Sequence, residues 1–101
     1  MTKYLLIRTQ QYSENTSQYG YGDYPVQIDY IAAVVEGDTV RKAQNAARKL
    51  FPHIRFGGMF SPTLVPATPE NIAEYAQLDC RLWGAAAENH IDAMSQLAEA
   101  L

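Results

Sequence analysis

Residues 25–35, PVQIDYIAAVV, alternate Val26, Ile28 and Tyr30 with polar neighbours and then become continuously apolar from Ile31 to Val35. Alternation with a period of two marks a strand with one face in water, whereas an unbroken apolar run of strand length marks one that is covered on both faces. The segment therefore predicts a strand that runs from a half-exposed edge into a covered centre. Upstream, Lys3 to Gln10 contains the run Tyr4-Leu5-Leu6-Ile7, also at strand length. Together the two predict an antiparallel hairpin.

The connection between them is long. Residues 8–25, RTQQYSENTSQYGYGDYP, hold no aliphatic side chain but carry Tyr12, Tyr19, Tyr21 and Tyr24 among Ser, Asn, Gln and Gly. Loops of this length in small domains are commonly functional or disordered. Tyrosine supplies a stiff amphipathic contact surface at little entropic cost, and Ser, Asn and Gly adapt their hydrogen bonds to a partner. This composition assigns partner binding to Tyr12, Glu14, Tyr19, Tyr21, Asp23 and Tyr24, with the acids able to imitate phosphate toward a basic groove.

Working outward, Glu36-Gly37-Asp38 breaks the second strand, and Asp38 or Thr39 can cap a helix over 39–51. Its apolar positions Val40, Ala43, Ala47, Leu50 and Phe51 recur at helical spacing and leave Arg41, Lys42, Arg48 and Lys49 outward. Pro52 ends it. HIRFGGMF at 53–60 reads as strand on both sides of a Gly57-Gly58 turn, and Ser61 to Pro69, interrupted by three prolines, reads as an extended connector with at most edge pairing. Thr68-Pro69-Glu70 has the order of a helix start, namely hydroxyl cap, proline in the first turn and acid near the positive dipole end. That helix is expected to continue through Tyr75, Ala76, Leu82 and Trp83 to Gly84. A last helix begins at Ala85 or at Asn89, with Ile91, Met94, Leu97, Ala98 and Leu101 facing inward. The 101 residues suffice for one domain, 1–101, without disulfide or metal staples. The expected class is α+β, with a small, mainly antiparallel sheet of three to four strands in the order β-β-α-β(-β)-α-α, covered by helices on one face. Val34, Leu50 and Leu82 are expected in its core.

The formal net charge of −3 conceals a division. Residues 1–38 carry −3, residues 39–55 carry +5 through Arg41, Lys42, Arg48, Lys49 and Arg55 without an acid, and residues 56–101 carry −5. Such polarity can steer a charged partner unless folding brings the segments together and cancels the field. Arg48 and Lys49 suit the negative end of a helix dipole, whereas Arg41 and Lys42 lie near the positive end and favour an external, acidic or nucleic-acid contact. Against a nucleic-acid footprint stand the acidic total and a sequence pI near 5.2. Direct nucleic-acid binding therefore ranks below protein binding.

Reactive chemistry finds little support. Glu88, His90 and Asp92 are the densest set of metal-ligand types, but on a helix His90 points away from the two acids and is expected to be exposed. Cys80 or Ser61 could be paired with His53 or His90 as nucleophile and base, yet neither sits in a motif that fixes the pair. Cys80, beside Asp79, reads as a small buried hydrophobe. Gly20-Tyr21-Gly22 and Gly57-Gly58 lack the lysine and spacing of phosphate loops. No enzyme activity, cofactor or metal is expected. The N-terminal apolar run is too short for a signal peptide or membrane span, so the expected compartment is the cytoplasm. The oligomeric state is open to a homodimer.

In size, acidity, single-domain form and lack of a catalytic signature the chain resembles the small phage-encoded inhibitors of bacterial defence systems, anti-CRISPR proteins among them. The likeness is one of general character and supplies no site residues. It implies host-defence evasion by a stoichiometric inhibitor that occludes a functional surface of a protein partner, such as a nucleic-acid-handling complex. The alternative function is a small-ligand-binding or enzyme-subunit domain with its pocket between the sheet and the C-terminal helices.

Overall fold

The computed structural model describes residues 2–15, 23–57, 62–77 and 82–100. Its elements are β1 (Thr2–Asn15), β2 (Asp23–Gly37), α1 (Val40–Leu50), β3 (Thr63–Pro66), α2 (Pro69–Tyr75) and α3 (Gly84–Ala100). The strands form one antiparallel sheet in the order β2-β1-β3. The α+β class and the element order thus agree with the sequence pattern.

The hairpin is far longer than the aliphatic pattern predicts. β1 and β2 remain paired from Thr2↔Gly37 to Asn15↔Asp23, so residues 11–15 and 23–24, beyond the strands expected at Lys3–Gln10 and Pro25–Val35, also belong to the ladder. Continuing a ladder requires backbone pairing and residues tolerant of extended φ/ψ, which Thr, Tyr and Gln are; it does not require an aliphatic core. Pro25, opposite Ser13, is accommodated because β2 is an edge strand whose outer donors need no strand partner. The 14 residues of β1 span about 48 Å at strand rise. The molecule is 52 Å in its longest dimension, so the hairpin runs nearly its whole length.

At the base of the hairpin the sheet is covered on both faces rather than one. Tyr4 and Leu6 join Ile28, Tyr30, Val35, Ala43 and Ala47 in a first cluster under α1, whereas Leu5 and Ile7 join Ile31, Ala93 and Leu97 in a second, against which Ile72 and Tyr75 of α2 pack. The continuous apolarity of Ile31 to Val35 has a further cause. The register shifts between Leu6 and Ile7, whose partners are Ala33 and Ile31, which leaves Ala32 as an extra residue in β2. Ala32 and Ala33 consequently both meet the first cluster.

α3 crosses the outer edge of β2 at this bulge. Ala86 lies in the first cluster and Ala93 and Leu97 in the second, with His90 between them, 1% exposed. The ring closes the edge: Ile31 N–H donates to His90 Nδ1 at 3.1 Å, and Nε2 stands 3.2 Å from the carbonyl of Ala76. Accepting at Nδ1 assigns the proton to Nε2, which donates to Ala76. His90 is therefore a buried clamp between β2, α3 and the end of α2, not the exposed residue expected from its polar neighbours. The inward face of α3 is correspondingly Ala86, His90, Ala93 and Leu97, whereas Ile91 is 50% exposed.

Three other expectations are corrected. The third strand falls at 63–66, within the proline-punctuated connector, and pairs with Tyr4 to Ile7 as an edge strand; residues 53–56 are not strand, and the second half of HIRFGGMF lies outside the described residues. Pro62 and Pro66 bracket the short β3, leaving Leu64 and Val65 to pack. α2 ends at Tyr75, and Trp83 is 61% exposed, while Leu82 is buried as expected. Of the other two predicted core residues, Val34 is half-buried and Leu50 is 58% exposed. Small Ala43 and Ala47 seat α1 on the sheet, and Phe51, the C-cap, packs inward in place of Leu50. Val40, in the first turn, is likewise 50% exposed. No helix among the described residues is long and apolar enough to cross a membrane.

Local chemistry explains the helix starts. Thr39 accepts from Lys42 N–H and Thr68 from Asn71 N–H, each at 3.2 Å, and Pro69 opens α2. Gly37 is needed for close approach, because a Cβ there would stand 2.5 Å from the backbone nitrogen of Ala43.

Candidate functional site

The structure separates the sequence-derived partner-binding residues into two groups. Tyr12, Glu14, Asp23 and Tyr24 lie on the far end of the hairpin ladder, at the registers Tyr12↔Val26, Glu14↔Tyr24 and Asn15↔Asp23. Tyr19 and Tyr21 lie outside the described residues. The first four are thereby spaced by a strand register rather than by a loop.

The base of the hairpin is held from three sides and its far end is not, among the described residues. Among the described residues β3 pairs with β1 from Tyr4 to Ile7. On the α1 side, the outermost described side-chain clamp is Gln10, whose carboxamide donates to the Trp83 carbonyl and accepts from the Trp83 N–H, both at 3.2 Å. This two-point contact copies a peptide pairing and anchors the segment before α3. On the other side Thr9 donates to Asp29 at 2.7 Å. Gln11 and Gln27, the next cross-strand pair, are exposed. From Thr9 to Thr39 the chain has no Lys or Arg, but it includes Glu14, Asp23, Asp29, Glu36 and Asp38. Of these acids Glu14 and Asp23 lie at the far end, beside Tyr12 and Tyr24, whereas Asp29 is mid-ladder and Glu36 and Asp38 are at the base.

The second candidate, Arg41, Lys42, Arg48 and Lys49, forms one exposed face of α1 opposite Ala43 and Ala47. Lys42 reaches Asp38 at 3.4 Å, with both side chains more than half exposed, an ion pair of little energetic weight. Arg48 donates to Asn45 at 2.9 Å, and its guanidinium stands over the Phe56 ring, 5.3 Å from the centroid. Arg8, reaching from β1, stands over Phe51 at 5.4 Å. Sequence reasoning missed Arg8 as a member of this surface, because β1 and α1 meet only in the fold.

Folding brings Asp38 to Lys42 and Asp92 of α3 to the cleft beside Leu50 and Phe51, but it keeps the acids of α2 apart from α1. α1 covers the first cluster and α2, with Glu70 and Glu74, the second, so the sheet stands between them. Asp29 faces the α2 side, where burial, then Glu74 and then Asp29 push the Tyr75 hydroxyl above its ordinary pKa.

Among the described residues, clefts open on the body between its elements. One of about 300 Å³, between the β2 bulge, the end of α1 and α3, is lined by Ala32, Phe51, Asn89, Asp92, Ala93 and Gln96 among others. A second of about 310 Å³ opens beside Arg8, Phe51 and His53, and a third of about 400 Å³ lies along α3 near Ala76, His90 and Met94. No three His, Cys, Asp or Glu side chains converge among the described residues. Glu88 and Asp92 are exposed on α3 while His90 is buried, so that set does not meet. Cys80 and Ser61 lie outside the described residues. Comparison of the chain with family models, curated proteins and solved structures returns no match.

Proposed function

We propose that this protein is a non-enzymatic binding module that seats the far end of the β1–β2 hairpin on a basic surface of a protein partner and blocks it stoichiometrically. The observation that carries this reading is the continuation of the ladder to Asn15↔Asp23, well past the last β3 pair at Ile7. Two paired strands present Tyr12, Glu14, Asp23 and Tyr24 at fixed spacing and cost less ordering entropy on binding than an open loop. Aromatic residues at the centre of an interface dominate affinity, and acids at its rim govern encounter with a basic partner. Tyr19 and Tyr21 belong to the same connection and complete the contact surface. A nucleic-acid-handling complex of a bacterial defence system, the target of anti-CRISPR-type inhibitors encoded by phage, offers a basic groove of this kind, and a cytoplasmic setting suits it.

The test is affinity capture from bacterial lysate with and without nuclease, followed by kinetics on the captured protein. A partner retained after nuclease should bind Glu14→Lys/Asp23→Lys with a markedly slower on-rate, and the difference from the parent should shrink as salt is raised. Capture that depends wholly on nucleic acid, or an on-rate untouched by the reversal, contradicts the reading.

A further inference from the structure

The α1 face combines the two elements that single-stranded nucleic acid requires, a line of cations for phosphates and flat surfaces for bases. At 100° per residue, Arg41 and Arg48 form one row and Lys42 and Lys49 a neighbouring one, all on the side opposite Ala43 and Ala47. The helix contains no acid, and Arg55, exposed in the following turn, extends the positive stretch. A helix dipole accounts for Arg48 and Lys49 at the C-terminus, and Asp38, 3.4 Å away, partners Lys42 through an exposed ion pair that a phosphate can displace; neither accounts for Arg41 in the first turn, nor for Arg8 arriving from β1.

The aromatic component lies at the C-terminal end of this track. Phe51 and Phe56 are half-buried against the first cluster, and the guanidiniums of Arg8 and Arg48 stand over them. An arginine held over a ring on one side can take a base on its other side, and its charge is then positioned beside the base's own phosphate. Next to Arg8 opens the cleft of about 310 Å³ with Leu50, Phe51, Pro52 and Ile54 in its walls, and Leu50 is 58% exposed at its lip. Apolar walls with cations at the rim suit an unstacked base. A duplex satisfies the cations but keeps its base faces stacked, and an acidic peptide does not use the aromatic surfaces. The acids Glu70 and Glu74 stand across the sheet, so the overall net charge of −3 does not describe this face; Asp92, in the wall of the adjoining cleft, marks its border.

We propose that the face made by α1, Arg8, Phe51 and Phe56 binds single-stranded nucleic acid, with Arg41, Lys42 and Lys49 on phosphates and the Arg8–Phe51 and Arg48–Phe56 pairs against bases. The surface is separate from the far end of the hairpin, so either assignment can fail without the other. The experiment is fluorescence anisotropy with labelled oligothymidine at low salt, beside a duplex of equal length and polyglutamate as a competitor. Oligothymidine should bind more tightly than the duplex and lose affinity steeply with salt, and polyglutamate should compete poorly. Arg41→Glu/Lys49→Glu, both exposed positions, should weaken binding at least about tenfold and flatten the salt dependence. Arg48→Lys, which keeps the charge, should weaken oligothymidine several-fold and leave the duplex unchanged; Arg8→Lys should do the same. Tyr19→Ala/Tyr21→Ala should bind oligothymidine like the parent. Absence of oligothymidine binding at low salt, equal binding of duplex and single strand with no effect of Arg48→Lys, or displacement by polyglutamate at matched charge would each overturn the proposal.

Discussion

The two ends of the β1–β2 hairpin share one continuous ladder and little else. At the base, Tyr4 to Ile7 have strands on both sides and helices on both faces, and the outer edge of β2 at Ile31 is closed by His90. At the far end, Tyr12 to Asn15 pair only with Asp23 to Val26 among the described residues. The base carries Leu5, Leu6, Ile7 and Ile31, all at most 6% exposed, whereas the far end carries Tyr, Ser, Glu, Asn, Asp and Pro. Strand pairing can thus be extended outward from a stable base without an aliphatic core along its whole length.

The comparison predicts unequal responses to substitution. The largest belongs to Leu6, fully buried under α1: Leu6→Ala should destabilise by about 2–5 kcal/mol in urea unfolding. A loss below about 1 kcal/mol would mean that the base is loosely packed. His90→Ala should follow, at about 1–3 kcal/mol, because it leaves the Ile31 N–H without its acceptor at a buried edge. Hydrogen exchange should localise the change to Ile31 and α3, and a uniform acceleration over the molecule would refute the clamp. Gly37→Ala should cost about 1–3 kcal/mol, because the new methyl meets the α1 backbone rather than a side chain that can turn away.

The smallest effect sharpens the contrast between the faces of the sheet. Burial and the nearby acids raise the Tyr75 pKa in the folded state. The folded protein therefore holds this proton longer than the unfolded chain, and the associated stability is complete below about pH 10 and declines as pH rises through the folded value. Tyr75→Phe should flatten the alkaline limb of a plot of melting temperature against pH. An unchanged limb would assign the decline to other groups.

How much of this was legible in the sequence depended on the range of the interaction. Thr39 and Thr68 were readable as caps because the bond each makes spans three residues. The base of the hairpin was readable because Leu5, Leu6, Ile7 and Ile31 to Val35 report their own burial. The far half was not, since Tyr12↔Val26 and Glu14↔Tyr24 are held by backbone pairing that leaves no aliphatic signature. β3 was hidden by prolines that an edge strand tolerates. His90 was misjudged because its neighbours Asn89 and Asp92 suggest solvent, and its acceptor role depends on a bulge 59 residues away in the chain. Of the candidate surfaces, the cations of α1 were visible as a periodic set, whereas Arg8 joins them only through tertiary contact.

The central claim is that the far end of the hairpin serves a partner and its base serves the fold. The most direct test measures partner affinity and melting temperature on the same preparation of Tyr19→Ala/Tyr21→Ala. Affinity should fall by about 2 kcal/mol or more, roughly thirtyfold, as expected for central aromatic contacts. The melting temperature should stay within about 2 °C of the parent, as for substitutions that touch no core. A collapse in melting temperature with normal binding by the remaining folded protein would contradict the account and return these tyrosines to packing.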